Sequence, residues 1–230
     1  MLAYIGGNAV DPEMPQPLVA SIDGTAIQQL TRHPPICCPA TPAWSPDGKE
    51  IVFDSPQGIH IVDVASGSLT SVVPPVFNED YQGYKDPTFS PDGMRIIYGD
   101  HHCIRVVPVT GGPSTLLFGG GTGGMGDASN ASVSPDGTTV TIMGGLAPGG
   151  CCYRVVGNID GTDMRPLTEK RGIRSSNASG TWSPDRDRIV AGAELDGIAV
   201  IDLTTGQVEV VARGSGAIWL DDHTLLVEAG

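Results

Sequence analysis

Several things are missing from this chain of 230 residues, and each absence removes a class of protein. No stretch repeats its apolar positions at helical period, which excludes helical bundles and coiled coils. No apolar run approaches the ~20 residues of a membrane-crossing helix, so no direct membrane insertion is expected. Basic residues are scarce: 13 Lys and Arg stand against 26 Asp and Glu, a formal net charge of −13. Nucleic acids and anionic membrane surfaces select clustered Lys and Arg, so neither is an expected partner. The acidic excess reads as a source of solubility. Catalytic signatures are absent too, with no Gly-x-Ser-x-Gly elbow and no His-Glu-x-x-His pair, and the chain is read as non-enzymatic.

What the chain has in quantity is turn formers. Thirty-two glycines and 19 prolines, with only 17% charged residues, fit many tight turns and little helix. The turns recur. Trp44-Ser45-Pro46-Asp47-Gly48 returns as Phe89-Ser90-Pro91-Asp92-Gly93, as Val133-Ser134-Pro135-Asp136-Gly137 and as Trp182-Ser183-Pro184-Asp185-Arg186. The four serines are 45, 44 and 49 residues apart. Each turn is followed by a β-rich run (Ile51-Val52-Phe53, Ile96-Ile97-Tyr98, Val140-Thr141-Ile142), then a second run, a small-residue turn and a closing strand. A period of about 40–50 residues built from short strands is the signature of a β-propeller, one repeat to a blade.

The expected fold is therefore all-β: a propeller of four-stranded antiparallel blades in one domain, residues 1–230. The repeats run approximately over 1–40, 41–85, 86–129, 130–178 and 179–216, with a partial repeat over 217–230. Met1 to Gly7 reads as a second strand and Leu18 to Thr31 as a third and fourth. Trp219 to His223 imitates the aromatic and its turn, and Leu225 to Glu228 starts another second strand. Joining the ends predicts five blades closed by both termini, with one strand duplicated. The alternative is a segment of a propeller with six or more blades.

The turn chemistry makes its own predictions. Proline at the second position pre-sets φ, and glycine at the fourth accepts a positive φ. Arg186 replaces that glycine in the last copy, at a cost of about 1–2 kcal/mol if the position is left-handed, so this turn is expected to be the least regular. The aromatic before each turn suits packing between blades, and Val133 is the thin member of that set.

Strand order assigns faces. The Ser-Pro-Asp turns lie on one, and the loops between blades lie on the other with those joining second to third strands. The second face collects Cys37, Cys38, His101, His102, Cys103, Asp127, Cys151 and Cys152, with Asp80 beside them. Glu79, Asp86, Glu194 and Asp196 add carboxylates on or near it, suited to a cation or to a basic segment of a partner. The thiols and imidazoles are ligands that zinc and other borderline metals favour, but their spacing matches no metal signature and no cofactor is expected. Disulfides are the alternative in an exported protein. Gly119 to Gly126 contains a nominal Gly-x-Gly-x-x-Gly pattern with no helix to follow it, and reads as a loop between blades. His60 aligns with Arg105 and Arg154 as a solvated strand residue, and His223 sits in a pseudo-turn. Asn130-Ala131-Ser132 and Asn177-Ala178-Ser179 are formal glycosylation sequons read as turn-forming loop segments.

The Ser-Pro-Asp-Gly units, with stretches such as Leu18-Val19-Ala20-Ser21-Ile22-Asp23-Gly24-Thr25 and Asn158-Ile159-Asp160-Gly161-Thr162, resemble the repeats of the TolB-like, WD-repeat-like propellers of bacteria. The resemblance covers nearly the whole chain. It implies a periplasmic or extracytoplasmic binding scaffold, monomeric, holding a protein or peptide on its loop face and channel mouth. The same motif occurs in propellers that gate prolyl-oligopeptidase-type peptidases and in sensor domains of surface receptors and kinases. The N-terminus carries no signal peptide pattern.

Overall fold

A computed structural model describes residues 1–7, 15–21, 26–31, 40–75, 83–100, 103–119, 128–144, 153–167, 181–193, 197–214 and 216–228. Every element among them is a β-strand. By its contacts the chain divides into two compact units, residues 1–101 with 105–116 and residues 102–104 with 117–230.

The first unit opens with a three-stranded sheet of β1 (Leu2–Gly7), β2 (Pro15–Ala20) and β3 (Ile27–Gln29). A four-stranded sheet follows in strand order: β4 (Ala40–Trp44), β5 (Glu50–Ser55), β6 (Gly58–Asp63) and β7 (Leu69–Val73). The next is β8 (Tyr84–Phe89), β9 (Arg95–Asp100), β10 (Cys103–Pro108) and β11 (Thr115–Gly119). The second unit holds β12 (Ala128–Val133), β13 (Thr139–Gly144), β14 (Tyr153–Asn158) and β15 (Arg165–Pro166). After it come β16 (Thr181–Trp182), β17 (Arg188–Ala193), β18 (Gly197–Asp202) and β19 (Val208–Arg213). A two-stranded sheet of β20 (Gly216–Trp219) and β21 (Leu225–Glu228) completes the described strands.

These are the antiparallel blades of a β-propeller. Four are complete, and their first strands pack on their neighbours' first strands, β4 on β8 in one unit and β12 on β16 in the other. The terminal sheets carry the strands expected of a blade divided between the two ends, second-strand duplicate included, and they form two separate sheets.

Burial follows the pleat. In β5 and β6 both faces are covered, so Ile51, Val52, Phe53, Ile59 and Val62 read as continuous apolar runs rather than alternating ones. Val52, Ile59, Ile61, Val72 and Val73 pack against Tyr84, Phe89, Ile96, Tyr98 and Val107 of the next sheet. Trp44, Ile51, Phe53 and Val62 pack the other way, on Val19 and Leu30. The aromatics before the turns do bridge sheets: the Trp182 indole donates to the Ser132 carbonyl (3.1 Å) and the Trp219 indole to the Thr181 carbonyl (3.2 Å).

Each Ser-Pro-Asp turn is a closed hydrogen-bond unit. In the first, the Ser45 hydroxyl donates to Asp47 (2.8 Å) and accepts the Glu50 amide (2.9 Å), while the Gly48 amide returns to the Ser45 carbonyl (2.9 Å). Ser90, Ser134 and Ser183 repeat this pattern. All four serines are buried. Hydrogen bonding from the serine pulls the Asp47 and Asp185 carboxyls down to about 2 and lowers Asp92 and Asp136 in the same way.

The fourth turn corrects the sequence expectation. Arg186 is left-handed at φ 71°, beside 70°, 69° and 74° at Gly48, Gly93 and Gly137. Its amide closes on the Ser183 carbonyl at 2.9 Å like the others, so the turn is as regular as its counterparts. The hydrogen-bond frame sets the backbone, and the side chain is accommodated outside it.

Candidate functional site

The described polar residues with unusual environments gather at the strand ends opposite the Ser-Pro-Asp turns. Their origin is a repeated backbone device. The first strand of three blades contains a β-bulge, between Ala40 and Ala43, between Lys85 and Thr88, and between Ser129 and Ser132. At each bulge one residue, four before the motif serine, takes a positive φ: Thr41 (38°), Asp86 (51°) and Asn130 (49°). Asn tolerates this region, whereas a β-branched Thr is strained there by about 1–3 kcal/mol. Bulges re-aim side chains at the inner rims of β structures.

In the first unit the bulges create an acidic pair. Thr41 donates its hydroxyl to the Asp54 carboxylate, a short hydrogen bond across the β4–β5 ladder. Asp54 is only 8% exposed. Burial pushes its carboxyl up to about 6. The Thr41 hydrogen bond opposes that, the negative charge of Asp86 adds to it, and Lys85 on the same strand as Asp86 opposes it. A buried acid whose carboxyl is pushed up to about 6, within the field of a second carboxylate on a bulge of the next blade, has the marks of a functional position. Chemically it attracts a cationic group and is able to exchange a proton with it.

Asp86 was among the carboxylates expected on this face; Asp54 was not. Its signal was present in the sequence, as a charged residue inside the run Ile51-Val52-Phe53-Asp54-Ser55. Nine residues after the other motif serines stand Gly99, Met143 and Gly192, so Asp54 departs from its own repeat.

On the opposite face of the same sheet His60 pairs in register with Phe53. It is 6% exposed, with Nε2 3.2 Å from the Ser55 hydroxyl and no hydrogen-bond partner at Nδ1. Burial lowers its pKa. The expectation of a solvated residue is thus corrected: this face packs on the first sheet. Nor does Arg154 share its register, because Arg154 pairs with Met143, the counterpart of Asp54. In the second unit Arg154 is buried, and its guanidinium donates to the Asn130 carbonyl (3.4 Å). Arg105 pairs with Asp100 (2.5 Å). Asn130 belongs to β12 rather than to a loop, which corrects the reading of its sequon; Asn177 lies outside the described residues.

Of the residues predicted for the binding face, Cys103 opens β10 and is half-buried. Cys37, Cys38, Asp80, His101, His102, Asp127, Cys151 and Cys152 lie outside the described residues, as do Glu79, Glu194, Asp196 and the glycine run after Gly119. Among the described residues no group of three or more His, Cys, Asp or Glu converges as a metal cage. His223 is exposed in its turn, as expected.

No protein-family model matches the sequence, and no curated protein matches it. Solved structures do. The fold is similar to that of TolB from Acinetobacter baumannii, with a TM-score of 0.68 at 21% identity over 92% of this chain and 52% of that one. It is similar to a putative TolB from Agrobacterium tumefaciens, with a TM-score of 0.64 at 21% identity over 86% and 70%. An oligogalacturonate lyase in complex with manganese gives 0.62 at 12% identity over 92% and 64%. This chain spans about half the length of the Acinetobacter protein. At these identities the likeness is one of fold.

Proposed function

We propose that this TolB-like β-propeller is a non-enzymatic, monomeric scaffold that holds a segment of a partner protein, or a small ligand, on its loop face and channel mouth. The supporting observation is the acidic pair of the first unit: Asp86 on the bulge of β8, and Asp54 on β5, whose carboxylate accepts the hydroxyl of the bulge residue Thr41. Carboxylates held at the ends of rigid strands recognise a basic group without paying to order themselves. The ligand class is therefore a Lys- or Arg-bearing segment or a small organic cation. An extracytoplasmic location is part of the proposal, in keeping with the TolB-like repeats.

The test uses a tetralysine peptide as probe, titrated by calorimetry at low salt. Asp86→Lys is expected to weaken binding by about tenfold or more and to leave the melting temperature within a few degrees. Equal binding by both proteins would remove the acidic pair from recognition. Unfolding of Asp86→Lys would make the residue structural, and Asp86→Asn then carries the measurement.

A further inference from the structure

Within the first unit, the face of β5 and β6 that packs on β1–β3 carries an imidazole. Ile51, Phe53 and Ser55 on β5 share that face with His60 and Val62 on β6, because alternate residues of a strand point the same way and Phe53 pairs with His60. The His60 ring is 6% exposed and lies 5.6 Å from the Phe53 ring, centre to centre. Its Nε2 is 3.2 Å from the Ser55 hydroxyl. That hydroxyl accepts the Gln57 amide (3.0 Å) and lies 3.4 Å from the Gly58 carbonyl. Nδ1 is buried and has no hydrogen-bond partner.

A neutral imidazole suits this place and an imidazolium does not. The charged ring has a proton on each nitrogen and needs two acceptors. The Ser55 oxygen can serve Nε2, but Nδ1 has none. The charge also needs a counter-charge to offset burial. Glu50 and Asp54 on β5 and Asp63 on β6 belong to the other face of their strands. β4 and β7 contribute no ionisable side chain. In the first sheet the described ionisable side chain is Tyr4, which pairs with Leu18 and so points away from the side on which Val19 packs. Among the described residues no carboxylate faces His60.

The next blade shows the same place holding a charge. Ten and fifteen residues after the motif serine stand Ser55 and His60 in one blade, and Asp100 and Arg105 in the next. Asp100 and Arg105 form an ion pair and are partly exposed. There a cation meets a carboxylate beside solvent, whereas His60 meets a hydroxyl in the core.

We propose that His60 is a proton-operated latch between the first two sheets: neutral, it holds the β5–β6 hairpin against β1–β3, and protonation loosens that contact. The unfolded imidazole takes its proton near pH 6.5 or so, about its ordinary value, and burial holds the folded ring below that. The stabilisation is therefore complete above about pH 6.5 and is lost as the pH falls through the folded value. Asp54, on the other face of the same hairpin, acts with the opposite sign, so a loss in acid does not come from that carboxyl.

Amide hydrogen exchange of the full chain tests the latch, read as protection factors at about pH 7.5 and about pH 5 so that the intrinsic pH dependence of exchange cancels. In the parent, protection across β2 and β6 is expected to fall by about tenfold on acidification. In His60→Gln the same change should be less than about twofold. Ser55→Asp supplies the carboxylate that Asp100 supplies in the next blade, and it should abolish the acid response as well. By NMR the His60 ring of the parent should titrate below its ordinary range. Equal protection at both pH values in the parent would overturn the proposal, as would an acid loss that persists in His60→Gln and so belongs to another group. If His60→Gln does not fold, Ser55→Asp and the ring titration decide: a parent-like acid response in Ser55→Asp, or a ring that titrates at or above its ordinary value, also sinks the latch.

Discussion

Arg186 reaches from the fourth Ser-Pro-Asp turn to the carboxylate of Asp136 in the third, an ion pair between neighbouring blades within the second unit. The only motif copy without glycine at its left-handed position uses the side chain it gained to tie two blades together. The pair is half-exposed, so its worth is about 0.2–1 kcal/mol, against about 1–2 kcal/mol of strain at the backbone.

Those magnitudes order two variants. Arg186→Gly loses the ion pair and gains freedom in the unfolded chain, but it relieves the strain, and it should stay within about 1 kcal/mol of the parent. Arg186→Ala keeps the strain and loses the pair, and should be the less stable of the two by about 1 kcal/mol. Urea unfolding of the three proteins decides; Ala equal to or above Gly would mean that the turn is not strained.

Asp54 should make stability fall as pH rises. Its folded carboxyl titrates at about 6 against 3.8 in the reference state, so between those values the native chain binds more protons than the unfolded one. The contribution is fully present below about pH 4 and is lost as pH passes 6, by about 3 kcal/mol at most. The carboxyls of Asp47, Asp185 and Asp202 are depressed and act with the opposite sign, losing stability as pH falls toward 2. The difference between the parent and Asp54→Asn across pH 4–7 isolates the first effect, and a flat difference would refute it.

Ser134→Ala removes the hydroxyl that bonds Asp136 and accepts the Thr139 amide. Ser134 is buried, so the amide is left without a partner, at a cost of about 1–3 kcal/mol. The Asp136 carboxyl should move back up toward its ordinary range, visible by NMR titration. A loss below a few tenths of a kcal/mol would show that the turn closes through its backbone alone.

Trp182→Phe keeps an aromatic ring, smaller than the indole, and deletes the donor to the Ser132 carbonyl. A loss of about 1 kcal/mol is expected, and Trp219→Phe should lose somewhat more because the Arg188 guanidinium also stacks on that ring. Thermal melts of both variants give the comparison.

The fold was legible because its information is local. A Ser-Pro-Asp-Gly turn closes through hydrogen bonds spanning five residues, and a short apolar run on either side is enough to place two strands. The four motif copies and the strands that follow each of them lie where the sequence placed them. Arg186 was legible as an exception but not as a bridge, since its partner is 50 residues away. The acidic pair was half legible: Asp86 was expected on or near the loop face and lies at the bulge of β8, while Asp54 was absorbed into the β-run that begins Ile51-Val52-Phe53.

The sequence by itself determined the repeat, the turn chemistry and the strand count, including the divided strands at the two ends, because each depends on contacts within a few residues. Only the tertiary structure decided which side chains the sheets enclose. Burial turned His60 from a solvated residue into a core one and brought Thr41 and Asp86 to bear on Asp54. Desolvation and bulge geometry depend on which sheet lies opposite, and no residue carries that information in its own neighbours along the chain.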